Sequence, residues 1–238
     1  MAEANALVEA VERRGAHFNM GTNRRWHPGF HRMRAWLDRE ELGPLRTLVI
    51  YGAGTLFNTA SHNFDLLFYL NRDTPVRWAR GYLPRGPELL QGDRLVDDPV
   101  GEGFFEFANG VRAYAMHTRR GTEFEAICEQ GTITSRNNGM EWEVRRSAPL
   151  GRRTELKLEP FPTFVPASTT LNLIEDLVQA LDTGEPTRGG IRVAHANTEL
   201  IFAFAESHRR DRTVELPLTE CTLRLTREYA PRQPRVAP

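Results

Sequence analysis

Apolar positions recur first with helical spacing, then with strand spacing, then with helical spacing again. Over residues 2–14, Ala6, Leu7, Ala10 and Val11 gather on one helical face, with Glu3, Glu9 and Glu12 elsewhere and Gly15 ending the segment. His17 to Met20 reads as a short strand and Gly21 to Arg25 as a turn. Pro28 to Glu40 reads as a second helix, with Phe30, Met33, Trp36 and Leu37 on one face and Gly43-Pro44 as the stop. Leu45 to Tyr51 is an apolar, β-rich run, Ser61 to Leu70 is helical with Phe64, Leu67 and Phe68 inward, and Val76 to Leu83 follows as a strand.

Gly103 to Arg146 carries the clearest sheet signal. Asn109-Gly110 and Asn138-Gly139 each lie between strand-like runs, and Asn-Gly accepts the positive φ angles of a two-residue hairpin turn, so antiparallel pairing is expected. Two helices follow. The first gathers Leu171, Ile174, Leu177, Val178 and Leu181 on one face and ends at Gly184 and Pro186; the second runs from Ile191 to about His208 through Ile191, Ala194, Thr198, Ile201 and Ala205. From Glu220 onward there is one strand-like piece, Thr222 to Leu225, and then a Pro-rich end expected to be mobile. No internal repeat or low-complexity segment interrupts this order. It predicts an α+β class: an open, mainly antiparallel β-sheet with helices packed on one face.

Composition narrows the chemistry. A chain of 238 residues makes one large domain or one and a fraction, enough to bury a core. Lys plus Arg and Asp plus Glu are both 31, so the formal net charge is zero and there is no field to hold a nucleic acid. Only the tail, with Arg224, Arg227, Arg232 and Arg235, leans basic, as a solvated terminus does. Thirty of the basic residues are arginine and one, Lys157, is lysine, so a mechanism that needs a lysine must use Lys157 or borrow one. Cys128 and Cys221 are too few for a disulfide framework or a thiolate metal site, which points to a reducing cytoplasm. No stretch reads as a signal peptide or as a membrane-spanning run of about 18 apolar residues. A soluble cytoplasmic protein is the expectation.

Several motifs fail on inspection. Val49 to Gly54 is a strand running into G-x-G, but the third glycine position is Phe57, and the acid some way on, Asp73, lies in a turn. Lys157 sits between leucines, which excludes a P-loop, and neither a G-x-S-x-G elbow nor an H-E-x-x-H zinc pattern occurs. His27 and His31 are four apart, but no third ligand is evident, so no metal is expected. The informative segment is Gly54 to Asp65. With a helix starting near Asn58, Asn58, His62 and Asp65 fall at i, i+4 and i+7 on one face. That row is either an imidazole oriented towards a pocket or a capping Asn beside a satisfied histidine.

Together these pieces resemble the C-terminal substrate domain of the glucose-fructose oxidoreductase/inositol dehydrogenase (Gfo/Idh/MocA) family, over nearly the whole chain. Residues 2–26 are similar to the last helix and strand of that family's nucleotide domain and its Arg-aromatic segment, here Arg25-Trp26. Leu42-Gly43-Pro44-Leu45 is similar to its turn before the first sheet strand. Gly54 to Asp65 resembles its G-x-L-x-D-x-G-x-H-x-x-D motif, and Glu215 to Leu218 its usual end.

The resemblance implies residues 1–22 as a remnant of a nucleotide-binding domain, 23–218 as the substrate and dimerisation domain, and 219–238 as an extension. It implies a sugar, polyol or related alcohol as substrate, NAD or NADP as the cofactor of a complete enzyme, and a homodimer through the sheet face. His62 becomes the acid-base group, Asn58 stands at the place of the family's catalytic aspartate, and Asp65, Arg25 and Trp26 join the substrate-binding set. The family's catalytic lysine and Rossmann domain precede the helix that opens this chain. The isolated chain is therefore expected to bind no dinucleotide and to need a Rossmann partner. Asn58, which cannot take up a proton, leaves a second expectation open: a non-catalytic sugar-binding or dimerisation module.

Overall fold

A computed structural model describes residues 1–52, 54–118, 121–150 and 153–226. In chain order the elements are α1 (Ala2–Arg14), a 3-10 turn (Asn23–Trp26), α2 (Pro28–Asp38), β1 (Leu45–Tyr51), a π turn (Leu56–Ala60), α3 (Ser61–Leu70) and β2 (Val76–Tyr82). The single-turn α4 (Gly86–Leu89) and the short β3 (Leu90–Gln91) and β4 (Arg94–Leu95) lead to β5 (Glu102–Phe107), β6 (Arg112–Met116), β7 (Glu123–Cys128) and β8 (Gly131–Arg136). A second 3-10 turn (Asn137–Gly139) precedes β9 (Glu141–Leu150), β10 (Arg153–Glu159), α5 (Thr169–Thr183), α6 (Ile191–Arg210), β11 (Val214–Glu215) and β12 (Arg224–Leu225).

Nine strands form one sheet in the order β10-β9-β8-β7-β1-β6-β5-β2-β11, and β12, β4 and β3 form a small second one. In the large sheet β1 runs parallel to β6 and every other neighbouring pair is antiparallel. The expected α+β class and mainly antiparallel sheet are both present. Alternation sets the faces: along β6, Ala113 and Ala115 are buried while Arg112, Tyr114 and Met116 are open. The buried face meets α2, α3 and α6 through Phe30, Phe64, Phe105, Phe107, Phe124 and Phe204, each contributing about 1.5–3 kcal/mol on burial. Gly81 lets α6 approach β2, because a Cβ there would lie 2.5 Å from the Phe204 backbone. The far face stays uncovered, with Tyr82, Phe104, Tyr114 and Met116 exposed.

Four local expectations need correction. His17 to Met20 forms no strand; it is irregular chain tied down by Met20 N–H to the Gly189 carbonyl (2.9 Å) and by the Thr187 hydroxyl to the Phe18 carbonyl. In α1 the buried residue is Val8, with Met1 and Ala4 beside it in the core, whereas Leu7 points outward. The connection at Asn109-Gly110 has four residues, 108–111: only Gly110 has a positive φ (84°), and the Asn109 and Asn71 amides exchange hydrogen bonds of 2.9 and 3.2 Å. At Asn138-Gly139 three successive residues, Asn137, Asn138 and Gly139, have positive φ (48°, 56° and 91°), a longer and more strained connection than a two-residue turn.

The two closing helices differ in kind. In α6 the apolar face is buried. In α5 the amphipathic helix is inverted: Leu171, Ile174, Val178 and Leu181 are 50–62% exposed. Its inward side carries Asn172, whose amide donates to the Trp26 carbonyl (3.0 Å), and Asp176, which accepts from the Arg188 backbone N–H (3.0 Å). The 219–238 extension begins docked, with Leu223 buried and β12 parallel to β4. The expected mobile end with Arg227, Arg232 and Arg235 lies outside the described residues.

Candidate functional site

His62 stands in the first turn of α3, behind the π turn that follows β1. That turn is made by the Ala60 N–H donating to the Thr55 carbonyl (2.8 Å), five residues back. Its open N–H groups are capped from a distant loop, since the Asp98 carboxylate accepts from Phe57 (2.8 Å) and Asn58 (3.0 Å). The α-helix proper starts at Ser61, whose hydroxyl donates to the Asn58 carbonyl (2.6 Å). The expected single row of Asn58, His62 and Asp65 is thereby bent: Asn58 is exposed, His62 half-buried and Asp65 fully buried. Burial first, and the nearby Arg24 charge second, lower the His62 pKa against the opposing pull of Asp65. The imidazole is therefore neutral at pH 7.

Beneath His62 lies a buried ion pair. Arg25 and Asp65 are 1% and 0% exposed, and both carboxylate oxygens of Asp65 receive N–H bonds from Arg25 at 2.7–3.1 Å. The other edge of the guanidinium meets Asp73, at 2.7 and 3.0 Å, and its carbon lies 5.2 Å from the centre of the Tyr69 ring. Burial works against the Arg25 charge, but the two carboxylates outweigh it and leave its pKa above the ordinary arginine value. Trp26 is likewise fully buried. Arg25, Asp65 and Trp26 are thus all closed to solvent. The Arg25–Asp65 pair holds the 3-10 turn against α3, while Trp26 meets α5 through the Asn172 amide on its carbonyl.

The wall beside His62 comes from residues whose role is not legible from the sequence. Successive residues of a 3-10 turn point about 120° apart, so Arg24 faces away from the pair that Arg25 makes. Its Nε–H donates to Asn138 Oδ1 (2.9 Å), and its guanidinium carbon lies 5.8 Å from the centre of the Phe124 ring. Next along the wall, His27 caps α2 by accepting the Gly29 N–H on Nδ1 (3.1 Å). Its ring is boxed by Phe30, Trp142 and Phe164, with centroids 5.4–6.0 Å away. His31 Nε2 is engaged with the Arg25 carbonyl (2.8 Å), so the two imidazoles have separate partners. No group of three metal-ligating side chains occurs among the described residues.

His27, His31, His62 and His208 all have lowered pKa values, with burial as the first cause. A lowered folded value means that the unfolded chain takes up protons first as pH falls. Stability is complete above the unfolded value of about 6.5 and is lost as pH drops through the folded values, by at most about 1.4 kcal/mol per pH unit for each imidazole. Protonating His27 also removes the acceptor that caps α2. We expect the urea midpoint to fall from pH 8 to pH 5, less steeply in His27→Gln; a flat profile contradicts this account.

Lys157 is not brought to the site. It lies on the edge strand β10, paired with Glu155 at 3.2 Å, with three strands between it and β1. No helix among the described residues is long and apolar enough to cross a membrane.

No family model and no curated protein matches the sequence. The fold is nevertheless shared with solved structures. Levoglucosan dehydrogenase in complex with NADH aligns with a TM-score of 0.71 and 17% identity, over 91% of this chain and 70% of that one. It has also been solved with levoglucosan and with L-sorbose. Aldose-aldose oxidoreductase from Caulobacter crescentus, complexed with glycerol, aligns with a TM-score of 0.69 and 19% identity, over 90% and 68%. An NAD-binding protein from Listeria innocua aligns with a TM-score of 0.67 and 16% identity, over 90% and 71%. At these identities the likeness establishes the fold.

Proposed function

We propose that this chain is the substrate-binding part of an NAD(P)-dependent oxidoreductase of the Gfo/Idh/MocA type, acting on a sugar, polyol or related alcohol. The observation that carries the reading is His62: a partly open imidazole one turn before a buried ion pair, in a fold shared with dehydrogenases solved with NADH and sugars. A neutral imidazole can accept the proton of a substrate hydroxyl. Asn58, exposed at the mouth of the turn, can hydrogen-bond a substrate oxygen but cannot carry that proton. Arg25 and Asp65 brace the start of α3 that carries His62, and Trp26, next to Arg25 in the sequence, is buried.

The described residues do not fit a dinucleotide. The Gly52 to Gly54 exit leads into a turn whose N–H groups already serve the Asp98 carboxylate, a negative charge where a pyrophosphate would have to sit. The nucleotide and the lysine are accordingly assigned to a unit outside these 238 residues, with 1–22 as the part of the chain that belongs to it, 23–218 as the substrate domain and 219–238 as an extension. The outward apolar face of α5 supports a surface that such a unit covers. The open sheet face, with Phe104, Tyr114 and Met116, supports a second copy there.

Titration by NMR and calorimetry tests the reading. Sugars or polyols should bind the chain and move the His62 ring signals, while NADH and NADPH should not bind. Tight binding of either dinucleotide overturns the division of labour, and failure of every sugar and polyol overturns the substrate class. Asn58 favours one competing reading, a non-catalytic binding or dimerisation module; activity that depends on His62 excludes it.

A further inference from the structure

Arg24 and Arg25 are adjacent, yet their surroundings differ in kind. Arg25 has two carboxylates. Arg24, half-buried, has no carboxylate partner among the described residues, and burial lowers its pKa with nothing to offset it. Removing a cation from water without a counter-charge is costly, so an anion arriving at that place gains more than it would at an exposed arginine.

The guanidinium is also aimed. Its Nε–H is occupied by Asn138 Oδ1 at 2.9 Å and one face rests near Phe124, which leaves the two Nη groups without a partner among the described residues. The Asn138 acceptor is itself presented by three consecutive residues of positive φ, Asn137, Asn138 and Gly139. A planar fork with two free Nη groups matches the two oxygens of a carboxylate. Arg24 stands close enough to His62 for its charge to act on that imidazole.

We infer that Arg24 is a specificity-determining residue that receives a carboxylate on the substrate, so that the site takes an acidic sugar in preference to a neutral one. This rests on the proposed sugar or polyol site at His62 and names the substrate class within it. The hydroxyl that His62 serves and the carboxylate that Arg24 grips then belong to the same molecule.

The test is a calorimetric and NMR titration of the full chain with D-glucuronate, D-glucose and D-glucose 6-phosphate, repeated on Arg24→Gln and Arg24→Lys. Glucuronate is expected to bind about 10- to 100-fold tighter than glucose, the range that a charge-assisted hydrogen bond supplies. Arg24→Gln should abolish the preference, and Arg24→Lys should keep part of it, as a point charge without the fork. Neutralising Arg24 with a bound carboxylate should raise the His62 pKa in the wild-type chain and not in Arg24→Gln. Equal affinity for glucose and glucuronate, or a preference that survives Arg24→Gln, overturns the inference while leaving the sugar site standing. Tighter binding of glucose 6-phosphate than of glucuronate overturns the carboxylate assignment. If none of the three sugars binds, the sugar site itself falls and this inference with it.

Discussion

Replacing Asp65 with alanine should lower the unfolding free energy by about 3–5 kcal/mol, the range for breaking a buried pair from one side. The size follows from what remains. Arg25 would stay almost fully buried, having lost its one fully buried carboxylate, with only the partly exposed Asp73 as a counter-charge. Asp73→Ala, by contrast, leaves the fully buried contact intact and should cost less than Asp65→Ala, because the Asp73 carboxylate is partly solvated. Replacing the pair together, Arg25→Met with Asp65→Leu, should cost less than Asp65→Ala alone, because no orphan charge is left. Urea unfolding of the three variants beside the wild type measures this. A loss below about 1 kcal/mol for Asp65→Ala would mean that water reaches Arg25. Asp65 lies three residues after His62, on the same side of α3, so the loss should also loosen the imidazole that the pair supports.

His62→Ala should reduce turnover by about 10²- to 10⁴-fold, the usual contribution of a positioned acid-base group, once the chain is assayed together with its nucleotide-binding unit. Sugar affinity should change much less, because the proton transfer and not the resting contact is removed. Asn58→Ala should fall within about tenfold, since an amide offers a hydrogen bond and no proton. The pH profile of kcat gives an independent check. A base with a lowered pKa is already deprotonated at neutral pH, so activity should decline only as pH falls below the ordinary histidine range. Activity of His62→Ala within threefold of wild type would remove the histidine from the chemistry.

How much of this was legible in the sequence depends on the range of the interaction. Strands and helices were readable because their signals are local: Arg112 to Met116 alternates in sequence and in burial alike, and Phe30, Met33 and Leu37 fall on the buried side of α2 as their spacing predicts. The face of α1 was not. Ala6 and Leu7 compete with Ala4 and Val8 in an alanine-rich segment, and the choice is made by α6, nearly two hundred residues on, where Arg192 and His195 bind Glu12 and Asn5. His17 to Met20 has strand composition but no ladder neighbour, so propensity lost to tertiary context. The π turn depends on Asp98, about forty residues away, which no local pattern announces.

The site was half visible. A carboxylate inside the apolar run Phe64-Asp65-Leu66-Leu67-Phe68 is a signal, because burial obliges it to find a cation. What sequence could not decide was which arginine answers. Arg24 and Arg25 are chemically identical, and only the 3-10 turn sends one inward to Asp65 and the other towards Asn138. The inverted face of α5 was equally hidden, since periodicity gives the stripe but not the direction in which it points.

The single lysine has a practical consequence at the rim of the sheet. Lys157 is the one side-chain amine in the molecule, well exposed on edge strand β10. Acylating reagents that seek side-chain amines therefore have one address. A dye or a surface tether placed there has three strands between it and β1, clear of the turn that carries His62. Donor and acceptor dyes on separate copies would then turn any pairing of sheet faces into an optical signal.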